Sequence, residues 1–171
     1  MQRIAIIGSG GAGKSVLARE LGQRLGIPVL HLDRLYWHPS WIPTPTDDWR
    51  ALQQEFVQSE RWIIDGNYGG TMDVRLAAAD TVIFLDLPRL VCVWGALSRY
   101  VRHRRGGRPD MAPGVNERLD LAFLWWIWRY PATRRPGILA RLSELPASTR
   151  VVRITSRREA RAFLAAEQPK L

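Results

Sequence analysis

Residues 8–15 read Gly-Ser-Gly-Gly-Ala-Gly-Lys-Ser. This completes a G-x-x-x-x-G-K-[ST] pattern, whose glycines let successive backbone N–H groups turn inward around phosphate oxygens. The apolar run Arg3–Ile7 before it reads as a strand. The residues after it open a helix, whose N-terminus adds a field favourable to anions. In such a loop Gly8, Ser9, Gly10, Gly11, Ala12 and Gly13 form the main-chain cradle. Lys14 reaches the β- and γ-phosphates, and the Ser15 hydroxyl sits on Mg²⁺. Lys14 is one of two lysines, with Lys170, against 23 arginines. A lone internal lysine in that loop marks a place suited to a compact point charge instead of a planar fork.

The same glycines admit a second pattern. Gly8, Gly10 and Gly13 spell G-x-G-x-x-G, and Asp33 stands about 20 residues on, where a dinucleotide fold grips a ribose. That pattern gives no reason for Lys14 and Ser15 after the last glycine. A dehydrogenase also needs a substrate domain, for which 171 residues leave little room. The triphosphate pattern is the stronger. A guanine-specific protein would add Asn-Lys-x-Asp, and no second internal lysine exists to make one.

Composition narrows the partners. The chain is 46% hydrophobic and 24% charged, as expected of a soluble globular domain, here a single one spanning 1–171. Its one cysteine, Cys92, excludes an intrachain disulfide and lies in an apolar helical stretch, where it reads as a core residue. The start, Met1-Gln2-Arg3, lacks a signal-peptide layout, and the apolar run Leu121–Trp128 falls short of a membrane span. A cytoplasmic protein with no membrane partner is expected. The net charge of +9 calls for anionic partners. Between Arg89 and Arg141 stand 11 arginines against three acids, so that stretch alone supplies +8. These arginines suit nucleotide phosphates and equally a nucleic-acid backbone. No helix-turn-helix, zinc-ligand or RNA-binding aromatic signature supports nucleic acid, so a small-molecule partner is favoured. His31, His38 and His103 show no metal-ligand spacing.

These groups need elements to position them. Apolar strands are expected at Arg3–Ile7, Pro28–Leu32, Trp62–Asp65, Thr81–Leu87 and Arg150–Ile154. Helices are expected at about Lys14–Leu25, from Thr46 to Ser59, after Pro88, across Leu121–Tyr130, and from the last strand to about Glu167. Pro39, Pro43 and Pro45 mark a loop that carries Trp37 and Trp41, either of which would stack on an aromatic acceptor. Alternating strands and helices specify an α/β fold with a parallel sheet covered on both faces. Trp125, Trp126 and Trp128 make the Leu121–Tyr130 helix apolar on every side. Burial is the first explanation; a homodimer patch or a stacking platform is the alternative. A monomer and a homodimer both remain open.

From here the residues resemble a family. Asp65-Gly66 after Trp62-Ile63-Ile64, Phe84-Leu85-Asp86-Leu87-Pro88, and Val151–Phe163 resemble, in order, segments of adenylate-kinase-like enzymes. More closely, Trp62–Tyr68, Arg108-Pro109-Asp110-Met111 and Leu121–Trp128 are similar to a bacterial group labelled DNA topology modulation proteins. The resemblance implies a three-layer P-loop NTPase fold with a five-stranded parallel sheet, and ATP and Mg²⁺ as cofactors. It also implies phosphoryl transfer to a small acceptor, a nucleotide or a hydroxylated metabolite. An ATP-binding regulator that holds nucleic acid through its arginines is the alternative. An acceptor-side segment is expected at about 33–60 and an arginine-rich helical lid at about 99–135. Arg102 and Arg105, three apart, are its preferred catalytic pair beside Arg99, Arg104 and Arg108, with Arg134 and Arg135 serving from the far side. Asp65 would hold Mg²⁺ with Ser15, and Asp86 is its rival. Ser156 and Arg157 would face the adenine. Asp33 stands where shikimate kinase carries an acceptor-side aspartate: either a base or acceptor ligand, or a carboxylate satisfying loop groups. Asn67, Tyr68 and Arg75 would line the acceptor pocket, unless Thr71–Ala79 is simply a helix start. Adenylate kinases follow Asp-Gly with Phe-Pro-Arg; here Asn67, Tyr68 and Gly69 stand instead, without the arginine that holds an acceptor phosphate.

Overall fold

A computed structural model describes residues 1–104, 110–111 and 120–167. The order is β1 (Arg3–Gly8), α1 (Lys14–Leu25), β2 (Val29–His31), α2 (Leu32–Tyr36), β3 (Trp37–His38), β4 (Ile42–Pro43) and α3 (Thr46–Phe56). There follow β5 (Trp62–Asp65), α4 (Met72–Ala78), β6 (Thr81–Leu85), α5 (Arg89–His103), α6 (Leu121–Thr133), α7 (Arg135–Ser143), β7 (Arg150–Ile154) and α8 (Arg157–Ala166).

Five strands form one parallel sheet in the order β2-β5-β1-β6-β7. The central strands are buried on both faces, which is why they are nearly continuous runs of Ile, Val, Leu and Phe. Along β1 the alternation divides the core in two. Ile4 and Ile6 pack with Leu17, Leu21, Cys92, Ile127 and Leu164 under α1, α5, α6 and α8. Ala5 and Ile7 pack with Trp49, Leu76, Tyr130, Ile138 and Leu142 under α3, α4, α6 and α7. The result is three layers with helices on both faces, the α/β architecture expected. Cys92 takes its expected core position.

Several local expectations are corrected. The second strand stops at His31, and Asp33 lies in the first turn of α2 instead of at a strand end. The proline-marked loop contains a two-stranded antiparallel pair, β3 with β4, in which Trp37 faces Pro43. The fourth parallel strand ends at Leu85, since Asp86 turns back through its N–H to Phe84 and Ile154 carbonyls. Helix α3 stops at Phe56, short of Ser59. Helix α6 runs past Pro131 to Thr133, and α7 follows where no helix was assigned. Burial of α6 is one-sided. Ile127 and Tyr130 are buried and Trp126 partly so, while Leu121, Trp125 and Trp128 are exposed. Asp120 starts this helix, its carboxylate accepting from the Ala122 and Phe123 N–H groups at 2.8 and 3.2 Å. No helix among the described residues is long and apolar enough to cross a membrane.

Candidate active site

The loop between β1 and α1 lies at the C-terminal edge of the central strand, where open α/β sheets bind ligands. Among the described residues its N–H groups at Gly10, Gly11, Gly13, Lys14 and Ser15 meet no protein acceptor, and all five residues line a cleft of about 1160 Å³. Such a donor set fits polyphosphate. The Lys14 ammonium donates to the Gly8 and Ser9 carbonyls at 3.0 and 2.9 Å, curling over the loop it is meant to serve. Burial lowers the Lys14 pKa, the nearby Asp33 and Asp65 carboxylates raise it in part, and Arg99 adds to the lowering.

The loop is braced from three sides that no motif records. Gly8 donates its N–H to Asn67 Oδ1 at 2.9 Å, tying the cradle to the turn after β5. Gly11, at φ 72°, lies against α5: a Cβ on Gly95 would stand 2.2 Å from the Gly11 carbonyl oxygen. A Cβ on Gly10 would stand 2.4 Å from Phe123 of α6. Phe123 in turn stacks on Trp126, with centroids 5.8 Å apart, and carries the Arg99 guanidinium 5.7 Å from its ring centre. Gly95 and Phe123 were not legible as site residues, because each acts through a contact between distant segments.

On the side of β2 and β5 the cleft is lined by Asp33, Trp37, Asp65, Gly66, Asn67 and Tyr68. Asp65 is 3% exposed at the end of β5, with His31 Nδ1 2.6 Å from its Oδ1. His31 is a partner the histidine spacing alone concealed, since parallel pairing of β2 with β5 sets the two side by side. Tyr68 donates its hydroxyl to Asp33 Oδ1 at 2.7 Å. Burial, then the Asp33 charge, pushes the Tyr68 pKa far up, so the phenol stays protonated and donating. Arg75 does not line the pocket. It is fully buried beneath it, donating to Gln53 Oε1 and to the carbonyls of Gly66 (3.3 Å) and Asn67 (2.6 Å). Burial draws its pKa down to about 10, still charged at neutral pH.

On the side of β6 and β7 the assignments divide. Asp86 is absorbed by two arginines, with Arg135 Nε at 2.9 Å and Arg153 Nη2 at 2.6 Å, and does not line the cleft. It is therefore corrected to a strand-exit ion pair, and Arg135 with it. Ser156 caps α8, its hydroxyl accepting from the Glu159 N–H at 3.1 Å. It also lines an adjoining groove of about 430 Å³ with Leu87, Pro88, Leu90, Val91, Trp94, Thr155 and Arg157. Arg157 reaches both spaces. Arg99 and Arg102 of α5 line the main cleft, whereas Arg134 and Arg104 do not. Arg105 and Arg108 lie outside the described residues, as do the parts of the expected lid segment at 105–109 and 112–119. Among the described residues no three His, Cys, Asp or Glu side chains gather as a metal cage. Mg²⁺ is ordinarily held by one or two carboxylates together with substrate phosphates, so Ser15 and Asp65 remain compatible with it.

This arrangement matches solved structures across nearly all of the chain. A shikimate kinase from Bacteroides thetaiotaomicron superposes with TM-score 0.58 at 17% identity, over 96% of this chain and 95% of its own. The chain has the fold of the P-loop kinases. A sugar kinase from Janibacter sp. HTCC2649 gives TM-score 0.53 at 17% identity, over 97% and 91% of the two chains. Deoxyadenosine kinase from M. mycoides gives 0.50 at 13% identity, over 95% and 94%. No family model and no curated protein sequence matches this P-loop chain.

Proposed function

We propose that this protein transfers the γ-phosphoryl group of ATP to a hydroxyl of a small acceptor. One observation carries the proposal: a cradle of undirected N–H groups around Lys14 opens into a cleft whose β2–β5 end holds Asp33 and Asp65. Phosphoryl transfer depends on positioning and charge neutralisation, and these residues divide those tasks. Gly8–Ser15 hold the phosphate chain, and Lys14 leaves the Gly8 and Ser9 carbonyls for the β- and γ-oxygens. Arg99 and Arg102 face the same space, with Arg105 proposed beside them. The apolar groove at Leu87, Trp94, Ser156 and Arg157 takes the adenine.

Ser15 and Asp65 would hold Mg²⁺, which neutralises charge on the β- and γ-phosphates. His31 fixes the Asp65 carboxylate for that duty. Asp33, oriented by Tyr68, accepts the proton as the acceptor oxygen bonds to phosphorus. The bond from phosphorus to the bridging oxygen breaks, its electron pair leaves on ADP, and the proton passes from Asp33 to water. We also place the chain beside the bacterial proteins labelled DNA topology modulation proteins, on the likeness at Trp62–Tyr68 and Leu121–Trp128. That label assigns no reaction.

The test is ADP release from Mg²⁺-ATP by the full chain, without and with small hydroxylated acceptors, with Lys14→Ala as the blank. Acceptor-stimulated turnover that disappears in the blank is expected. Tight ATP binding with turnover raised only by DNA overturns the kinase and supports a nucleic-acid-binding regulator.

A further inference from the structure

Apolar side chains on α5 and α6 stay in water although both helices pack on the core. On α5 they follow the line Leu90, Trp94, Leu97 and Val101, of which only Leu97 is half-buried. On α6 they follow Leu121, Trp125, Trp128 and Ala132. Both lines step by four, three and four residues, the a/d repeat by which one helix seats another. Each line lies opposite its helix's buried side, which is Cys92 and Ala96 in α5 and Ile127 and Tyr130 in α6. The two helices run side by side and antiparallel. The Arg89 guanidinium, at the start of α5, stands 4.9 Å from the centre of the Trp128 ring near the end of α6. Arg99, near the end of α5, stands 5.7 Å from that of Phe123 near the start of α6. The two lines therefore belong to one two-helix face.

Size and composition decide what covers this face. Its six large exposed residues, Leu90, Trp94, Val101, Leu121, Trp125 and Trp128, keep 40–74% of their surface in water. With about 150–250 Å² on each aromatic side chain and somewhat less on each aliphatic one, that is roughly 700 Å². A monomer's largest apolar patch is ordinarily about 300–600 Å². Each partner in a stable protein interface gives roughly 800 Å². A helix lying on a bilayer presents a broad apolar face, whereas each helix here offers a narrow a/d line, flanked by Arg89 and Arg102 on α5 and by Arg129 on α6. A nucleic-acid strand needs rings on which its bases stack, and five of the eight residues in the two lines are aliphatic. Interface cores are rich in Trp and Arg and poor in Lys, Asp and Glu, and neither helix contains any of the last three.

We propose that the α5–α6 face pairs with the same face of a second copy of this chain, closing an isologous dimer. A twofold axis along the helices seats α5 of one copy against α6 of its partner, antiparallel, and the four helices complete a bundle. Equal repeats on both helices suit that pairing, because each line meets a line of the same spacing. The flanking arginines of the two copies carry like charge, so added salt screens their repulsion and tightens the dimer. Salt weakens binding to an anionic lipid surface or a nucleic acid. At its α5 end the seam adjoins the groove beside Ser156, which Leu90 and Trp94 also border. The proposal is independent of the phosphoryl-transfer reading.

The experiment is sedimentation equilibrium of the full chain at about 0.1 M and 1 M salt, where the Debye length is about 10 and 3 Å. A monomer–dimer equilibrium that tightens with salt is expected. Leu121→Ser combined with Trp125→Ser, both exposed and outside the cleft lining, raises the dimer dissociation constant about thirtyfold or more, as loss of an interface hot spot does. Ile42→Ser, likewise exposed but on β4, leaves it unchanged. A far-UV circular dichroism spectrum matching that of the unaltered chain shows the double variant to be folded. If it is not, Val101→Arg on the other helix takes its place. A chain that stays monomeric up to about 0.1 mM at both salts overturns the proposal. So does a dimer that the seam variants leave intact, and so does an open series of larger oligomers. A monomer that binds phosphatidylglycerol vesicles or a single-stranded oligonucleotide through Trp125, more weakly as salt rises, gives the face to that partner and overturns the dimer.

Discussion

Arg75 offers the sharpest test of how the site is held together. It is a fully buried guanidinium with no carboxylate among its hydrogen-bond partners; its bonds go to Gln53 Oε1 and the Gly66 and Asn67 carbonyls, with a longer one to the Thr71 carbonyl at 3.5 Å. Arg75→Met keeps the length and removes the charge. Two good charge-assisted bonds, to Gln53 and Asn67, contribute about 1.5–3 kcal/mol each, and the variant strands both acceptors. Against this, the buried charge itself costs on the order of 3 kcal/mol, judged from a pKa drawn down to about 10. The stranded acceptors then decide the sign, at about 1–3 kcal/mol each. A net loss of about 3 kcal/mol is expected. For a domain of this size that lowers Tm by about 6–12 °C. The measurement is urea and thermal denaturation of Arg75→Met, Gln53→Met and the double variant. Because the two side chains share one bond, the cycle should show a coupling of about 1–2 kcal/mol. ATP affinity should fall as well, since Asn67 Oδ1 holds the Gly8 N–H. A loss below about 1 kcal/mol, or additivity within about 0.5 kcal/mol, refutes the view that Arg75 clamps the turn after β5.

Gly95→Ala places a Cβ 2.2 Å from the Gly11 carbonyl oxygen, so ATP affinity should fall at least tenfold by calorimetry. Gly70→Ala, whose Cβ would have nothing within 4 Å, should be silent. Lys14 has a lowered pKa, so its charged form costs the ligand-free protein stability; thermal melts should show that cost relieved as pH rises through the lowered value towards 10.5. Phosphate binding needs the charged form, so ATP affinity should weaken over the same rise, and Lys14→Met should abolish both dependences. Asp65→Asn should lose Mg²⁺-dependent nucleotide affinity in a titration with and without Mg²⁺. Asp86→Asn should keep that affinity and lose about 1 kcal/mol of stability, because its partners are two partly exposed arginines.

What the sequence disclosed divides by range. The cradle at Gly8–Ser15 is local: eight consecutive residues carry both the turn chemistry and the ligand chemistry, so pattern and structure agree without help from the rest of the chain. The five parallel strands were legible for a similar reason, since burial on both faces demands continuous apolar runs such as Thr81–Leu85. Element ends were less so. Nothing in Pro28–Leu32 distinguishes a strand reaching Leu32 from one that stops at His31 and starts a helix, although the difference moves Asp33 from a strand end to a helix turn.

The misread and missed residues share a different cause. Asp65 and Asp86 each end an apolar strand, and only pairing separates them. Parallel register sets His31 beside Asp65, whereas β7 brings Arg153 and α7 brings Arg135 to Asp86. Arg75 looked like a pocket residue because it follows the Asp-Gly turn by one helical span. Its side chain instead turns inward, since the carbonyls of Gly66 and Asn67, lifted from the sheet, have no strand partner in the turn. The same necessity explains Gly95, which exists as a site residue only where α5 crosses the loop. A motif can name the groups that touch phosphate, but the groups that keep them in place are fixed by the neighbours the fold supplies. Variants at Gly95 and Arg75 should therefore impair ATP binding, the first by displacing Gly11 and the second from a position outside the cleft lining.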